Sequence, residues 1–273
     1  MKQKKPLFLV TDFYYQAKGR EYFREDIELS YYLKKEFRLW ISHMGDLELN
    51  RKDAFLIRNT GPKSTHTEEL KKLRSHPHLI LSNDLQGKGD ILGKQHLVDL
   101  FRDGFPVIPS VDSLKDVARL GNSERYFVKP IDGCDSTGVQ VLNYSELMNA
   151  SINGFIVQPL VEFEYEVSFY FVDHEFCYAL YAPDQSKRWE LEPFSATNED
   201  IQFAKRFIEW NSCKAGIQRV DACRTMNGSL ALMELEDYNP FLSFSLLPAI
   251  QKSNFLDALI HSLKTQMSSD ETK

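Results

Sequence analysis

Cysteine is scarce in this chain and poorly placed for metal binding or cross-linking: Cys134, Cys177, Cys213 and Cys223 are scattered through 273 residues with no CxxC spacing. That distribution argues against a zinc knuckle or a disulfide framework and leaves buried or incidental thiols as the expectation. Cys134, in a glycine-containing loop, is the one position where a reactive thiol is conceivable. Concentrated positive charge is missing too. The formal net charge is −6 and basic residues gather only in short runs such as Lys2 to Lys5, so a nucleic-acid polymer is not expected as a partner. Only four apolar residues separate Pro6 from Thr11, too few for a signal peptide or a membrane span, which predicts a cytoplasmic protein without a membrane partner. There is no internal repeat, no low-complexity segment, and no nucleophile with an adjacent base of the kind covalent catalysis needs.

What is present is an ordinary globular composition, 42% hydrophobic, enough to bury a substantial core shared among two or three lobes. Apolar patterning predicts strands at residues 6–11, 38–42, 54–58 and 78–82 alternating with helices at 26–37 and 64–75, a small α/β lobe spanning residues 1–90. A central lobe, 91–157, is expected to carry helices at 94–102, 113–120 and 145–151 and strands at 126–129, 139–143 and 155–160. A third lobe, 158–273, should contain a hairpin of 166–172 with 176–181, a helix at 198–210 and a terminal helix within 246–267. The fold class is therefore α+β with an α/β N-terminal lobe.

The stretch that carries most chemistry runs from Ile217 to Pro240. Ile217 to Ala222 and Ser229 to Leu235 read as strands on either side of Asn227-Gly228, a strong hairpin turn, so Asp221 and Glu234 should come close together. Side chains alternate along a strand, which puts Glu234 and Glu236 on one face. Three crowded carboxylates repel unless a divalent cation or an arginine sits among them, and hard oxygen donors suit Mg²⁺ holding phosphates. A solvated acidic hairpin edge is the alternative, although the flanks are apolar for an exposed ribbon. Upstream, Gly133 and Gly138 bracket Ser136 and Thr137 in a turn whose backbone N–H groups and hydroxyls could cover a polyphosphate.

Read in order, Lys94, the segment Tyr126-Phe127-Val128-Lys129-Pro130, the Gly133 to Gly138 loop, Phe155 to Val161, Tyr165-Glu166-Val167-Ser168, Arg219-Val220-Asp221 and Met233-Glu234-Leu235-Glu236 resemble the ATP-grasp superfamily. The order and spacing are closest to its glutathione-synthetase and RimK-like branch, near the cycloserine-forming ligases, and the match covers most of the chain. The resemblance implies two α+β lobes clamping ATP behind a small leading lobe, and an ADP-forming ligase that joins a small carboxylate to an amine through an acyl-phosphate. It implies that Lys94 and Lys129 hold the α- and β-phosphates, with Gly133, Ser136, Thr137 and Gly138 over them. Gln158, Leu160 and Val161 would clamp adenine and Glu166 would bind ribose, with Glu162 or Glu164 as substitutes if the register differs. Asp221, Glu234 and Glu236 would ligate Mg²⁺, or Mn²⁺ as a second candidate, and Asn239 competes with Glu236. Arg219 would point at the transferred phosphate, or else simply neutralise the acids.

The sequence departs from the family where a basic residue is expected after the central hairpin: Ala179-Leu180-Tyr181-Ala182-Pro183 stands there, leaving Lys187 and Arg188 as the nearest replacements. If neither reaches the phosphate, the resemblance implies nucleotide binding without turnover, and a small-molecule kinase is a further alternative. Substrate choice is expected to rest on residues 12–15, 58–61 and 243–245. The aromatics Phe13, Tyr14 and Tyr15 permit an oligomer.

Overall fold

Alternation along the first strand sets up the N-terminal lobe. In β1 (Pro6–Val10), Leu7 and Leu9 enter one hydrophobic core while Phe8 and Val10 face another. This is a computed structural model that describes residues 4–17, 20–49, 54–76, 78–133 and 138–269. After β1 come a two-residue ribbon, β2 (Gln16–Ala17) with β3 (Arg20–Glu21), and then α1 (Phe23–Glu36), β4 (Arg38–Ser42), β5 (Ala54–Ile57), α2 (Thr67–Arg74) and β6 (Ile80–Ser82). The four longer strands form a parallel sheet in the order β4-β1-β5-β6. Helix α1 carries Glu25 and Asp26 in its first turn and Lys34 and Lys35 in its last, the polarity a helix dipole favours. It starts three residues before the predicted Asp26. The ribbon was not foreseen, because two-residue strands leave no periodicity to read.

A connecting segment then leads through α3 (Gln95–Arg102) and a 3₁₀ helix over Leu114–Leu120 to a three-stranded antiparallel sheet in the order β8-β7-β9. Its strands are β7 (Arg125–Pro130), β8 (Gln140–Asn143) and β9 (Phe155–Pro159), with α4 (Tyr144–Met148) between the last two. Asn143 and Glu146 form a reciprocal capping box that fixes the start of α4.

The remaining chain builds a five-stranded antiparallel sheet in the order β12-β11-β10-β13-β14. It contains β10 (Phe163–Val172), β11 (Glu175–Ala182), β12 (Glu192–Pro193), β13 (Ile217–Thr225) and β14 (Leu230–Glu236), with α5 (Asn198–Asn211) and α6 (Ala249–Ser269) packed on it. Val220, Ala222 and Leu235 share a core with Ala204 and Phe207 of α5 and Leu97 and Leu100 of α3. Tyr170, Val172, Tyr178 and Leu180 share another with Leu7, Leu9, Leu29 and Leu33 of the first lobe and with α6. The first and last lobes are therefore joined by continuous apolar packing, which holds the loops after β1 and β5 against the loop after β14. Among the described residues, no helix is long and apolar enough to cross a membrane.

Candidate functional site

The hairpin of β13 and β14 turns as its sequence demands. Gly228 takes φ +83°, and Asn227 Oδ1 accepts the Ser229 N–H at 3.0 Å. Near the turn Ala222 pairs with Leu232, but farther along Asp221 pairs with Glu234 and Arg219 with Glu236, so β14 gains one residue, Met233, in a bulge. The bulge decides the chemistry. In unbroken alternation Glu234 would share the core-facing side with Leu232; the extra residue moves it to the side of Asp221. Carboxylate oxygens of Asp221, Glu234 and Glu236 then all lie within 4.8 Å of one another.

Two cations hold this cluster. Arg219 spans Asp221 through Nε and Nη2, both at 2.8 Å, and reaches Glu236 with the same Nη2; its Nη1 donates to the Phe241 carbonyl at 3.0 Å. Ser168, opposite Asp221 in β10, donates to Asp221 Oδ1 at 2.6 Å. Lys94, at the N-cap of α3, forms an ion pair with Glu234. Burial pushes Glu234 upward, but Lys94 more than offsets it and holds this carboxyl below the usual range. Glu236 goes the other way: burial and the charges of Asp221, Glu234 and Asp90 outweigh Arg219 and push it well above that range. Three ionised carboxylates would exceed what Arg219 and Lys94 compensate, and the all-oxygen donor set fits a hard divalent cation such as Mg²⁺.

Lys129, at the end of β7, has its Nζ 5.6 Å from the Phe127 ring centre and, among the described residues, no carboxylate within ion-pair distance. Burial, with Lys94 and Arg188 as neighbouring cations, lowers its pKa despite Glu234 and Glu166. An anion would relieve that environment. The turn beyond it is anchored by Gly133 N–H to the Pro130 carbonyl at 3.2 Å and by an ion pair of Asp132 with Lys63 of the first lobe at 2.7 Å. Gly138 has φ +76°, and a Cβ there would meet Pro130 Cγ at 3.0 Å. Ser136 and Thr137 lie outside the described residues.

The other expected positions lie outside the carboxylate cluster itself. The Gln158 side chain is buried and donates to Ser110 Oγ at 2.8 Å, and the Leu160 N–H is taken by the Arg125 carbonyl; Leu160 is exposed and Val161 half-buried beside it. Glu166 is bound by Arg188 at 2.8 and 2.9 Å. Burial raises its carboxyl, opposed by Arg188. Lys187 pairs with Glu190 on the exposed surface at 3.1 Å. Asn239 donates to the Gly61 carbonyl at 3.1 Å and is not brought into the acid cluster. Arg58, expected in a substrate loop, is instead fully buried against Glu25 and Asp26.

Four contributors escaped the sequence reading. Ser168 could have been found from its register opposite Asp221. His96, Asp90 and Asp237 act through backbone groups distant in sequence. Asp90 Oδ1 accepts the N–H groups of Asp237 and Tyr238 at 2.7 and 3.0 Å, while the Asp237 carboxylate accepts those of Gly89 and Ile91 at 2.9 and 3.0 Å. The local signal was Gly87 and Gly89, where a Cβ would meet Asp237 Oδ2 at 1.9 Å and the Leu235 carbonyl at 2.7 Å. Burial and the nearby Asp237 push the Asp90 carboxyl up to about 8. Burial lowers the His96 pKa, so this ring is neutral at ordinary pH.

No protein-family model matches the chain, and no curated protein does. Its backbone is similar to that of a D-cycloserine synthetase, DcsG, with 22% identity, a TM-score of 0.70, and 94% of this chain and 99% of that one covered. It is similar to the ATP-grasp ligase PsnB in a complex with a phosphomimetic variant of minimal precursor, Mg and ADP, at 14% identity and TM-score 0.64, covering 96% and 100%. A D-alanine–D-alanine ligase from Bacillus anthracis, complexed with ATP, matches at 14% identity and TM-score 0.65, covering 98% and 100%.

Proposed function

With the ATP-grasp fold as premise, we propose that the chain is an ADP-forming ligase that joins a small carboxylate to an amine at the expense of ATP. The observation that carries this reading is the meeting of Asp221, Glu234 and Glu236 with Lys94 and Lys129 on one fold. The three carboxylates would hold Mg²⁺, which supplies charge neutralisation for the phosphates when bound. Lys129 and Lys94 supply cationic contacts to phosphate oxygens, Lys94 leaving Glu234 to the metal. Gly133 and Gly138 frame the covering turn, and Leu160, Val161 and Glu166 are the candidates for the nucleoside. Because Gln158 is turned into the core, its contribution there is limited to its main chain.

In the reaction proposed, a substrate carboxylate oxygen attacks the γ-phosphorus as its bond to the β–γ bridging oxygen breaks, releasing ADP. The amine then attacks the acyl carbon, the C–O bond to phosphate breaks, and phosphate leaves with that electron pair while the amine proton passes to solvent. Such transfer needs position and charge more than covalent help, and Arg219 can release its carboxylates to stabilise the transferred phosphoryl oxygens. The candidate place for substrate lies beside it. A cavity of about 460 Å³ is lined by Glu21, Arg24, Glu25, Glu28, Phe241 and Phe244, and the Phe241 carbonyl is the one that Arg219 binds.

One observation favours a second reading, nucleotide binding without turnover: Tyr181 occupies the expected basic position, Lys187 is tied to Glu190 and Arg188 to Glu166. ADP release measured with Mg·ATP across a matrix of carboxylates and amines decides between them. Release that requires both substrates supports the ligase, release with an acceptor alone supports a kinase, and tight ATP binding with no release supports the second reading.

A further inference from the structure

Strand β14 ends the five-stranded sheet, so one edge bonds to β13 and the other, among the described residues, meets only an isolated bridge of Val107 with Leu232. Unpaired edge groups that are buried need other partners. The connecting segment before the second sheet provides them. Leu232 N–H donates to the Pro106 carbonyl at 2.9 Å, and the Leu232 carbonyl accepts the Ile108 N–H at 3.0 Å. The next outward N–H belongs to Leu235, three residues on instead of two, because Met233 is the bulged residue; it donates to His96 Nε2 at 3.3 Å. Asp237 N–H follows, donating to Asp90.

The His96 contact is chemically unambiguous. Its Nδ1 lies 2.8 Å from the Gly93 carbonyl, which can only accept, so the proton is on Nδ1 and Nε2 must accept from Leu235. The ring is buried, and Leu235 lies between Glu234 and Glu236. Two residues before His96 stands Lys94, paired with Glu234 and fixed by its own N–H to the Ile131 carbonyl at 2.8 Å. One short segment therefore grips the acidic strand and carries a phosphate lysine.

We infer that His96 is a positioning residue that couples nucleotide to metal: by holding the Leu235 N–H it sets the aim of Glu234 and Glu236, and through Lys94 the same segment responds to phosphate. This rests on the proposed nucleotide and Mg²⁺ site. Such coupling is reciprocal, so Mg²⁺ strengthens ADP binding by the factor that ADP strengthens Mg²⁺ binding. Without the contact, a buried N–H is left unpaired between two ligands and the strand relaxes.

Two polar substitutions test this without emptying the core. In His96→Gln the side-chain carbonyl reaches the place of Nε2, whereas in His96→Asn the amide keeps the Gly93 bond but cannot reach Leu235. ADP is titrated into each protein by calorimetry with and without Mg²⁺, and thermal melts without metal confirm folding. The expected result is that His96→Gln keeps the wild-type Mg²⁺ enhancement within about two-fold and His96→Asn loses about five-fold or more of it, the lower end of ordinary coupling. Retention of the full enhancement by His96→Asn, or equal loss in both variants, overturns the inference. Failure of the wild-type protein to bind ADP overturns the proposed function itself, and the inference with it.

Discussion

Among the described residues, two clusters pair an arginine with two carboxylates, and they differ in what surrounds them. Arg58 is sealed: its Nη2 meets Glu25 at 2.6 Å, its Nε meets Asp26 at 3.1 Å, its Nη1 meets the Pro240 carbonyl at 2.9 Å, and none of its surface reaches solvent. Glu25 also accepts the Leu242 N–H, and Asp26 the Thr11 hydroxyl. Arg219 holds Asp221 and Glu236 as tightly, but 16–19% of these side chains still reaches solvent, and a third carboxylate, Glu234, paired with Lys94, stands beside them. Identical side chains can thus be a rivet or a reservoir. The first cluster ties the loop after β5 to the loop after β14 and has no capacity left; under the proposed function the second would exchange arginine and lysine for a metal ion and phosphate.

The largest effect should come from unpairing the sealed cluster. Arg58→Leu leaves two buried carboxylates facing each other and is expected to cost about 3–5 kcal/mol, read as a lower midpoint in urea unfolding. A loss under about 1 kcal/mol would erase the distinction. Next, Lys129→Ala should weaken ADP binding by roughly 10- to 100-fold, the range of one charged hydrogen bond, with the melting temperature without nucleotide held. An unchanged dissociation constant would remove Lys129 from the phosphate site. A smaller effect is on pH. Burial and Asp26, against the pull of Arg58, raise Glu25 from 4.5 to about 7, so the folded state binds this proton more tightly than the unfolded state. Stability from this group is full below about pH 4.5 and falls as pH rises toward about 7; Glu25→Gln should flatten that fall in unfolding measured across the window. The smallest is Lys187→Ala, expected to change ADP affinity by less than about two-fold, since this residue is engaged with Glu190 on the open surface.

Much of the architecture was legible because strands and helices here obey their periods. The acidic hairpin could be read from apolar runs around Asn227-Gly228, and the structure brings Asp221, Glu234 and Glu236 together as that reading expects. The bulge at Met233 could not be read, although it alone decides that Glu234 shares a side with Asp221, because a one-residue register shift leaves no trace in composition. Gln158 shows a second limit: its place in β9 follows from sequence, but whether side chain or main chain faces the cleft depends on Ser110, 48 positions away. Arg58 shows a third. A charged residue after a strand reads as a loop residue until Glu25 and Asp26, on the helix preceding it, are seen to enclose it. His96 meets Leu235 across 139 residues, beyond any local pattern.

The central claim, that the open acidic cluster is a metal-dependent nucleotide site and the sealed one a structural tie, is tested most directly by melting wild type and Glu234→Gln with and without Mg·ADP. The expected result is a wild-type melting temperature raised by Mg·ADP, no such rise in Glu234→Gln, and a metal-free variant destabilised by no more than about 1 kcal/mol, the loss of the Lys94 pair being largely offset by relief of repulsion from Asp221 and Glu236. A metal-free variant destabilised on the scale expected for Arg58→Leu, or a variant still raised by Mg·ADP as the wild type is, would contradict it.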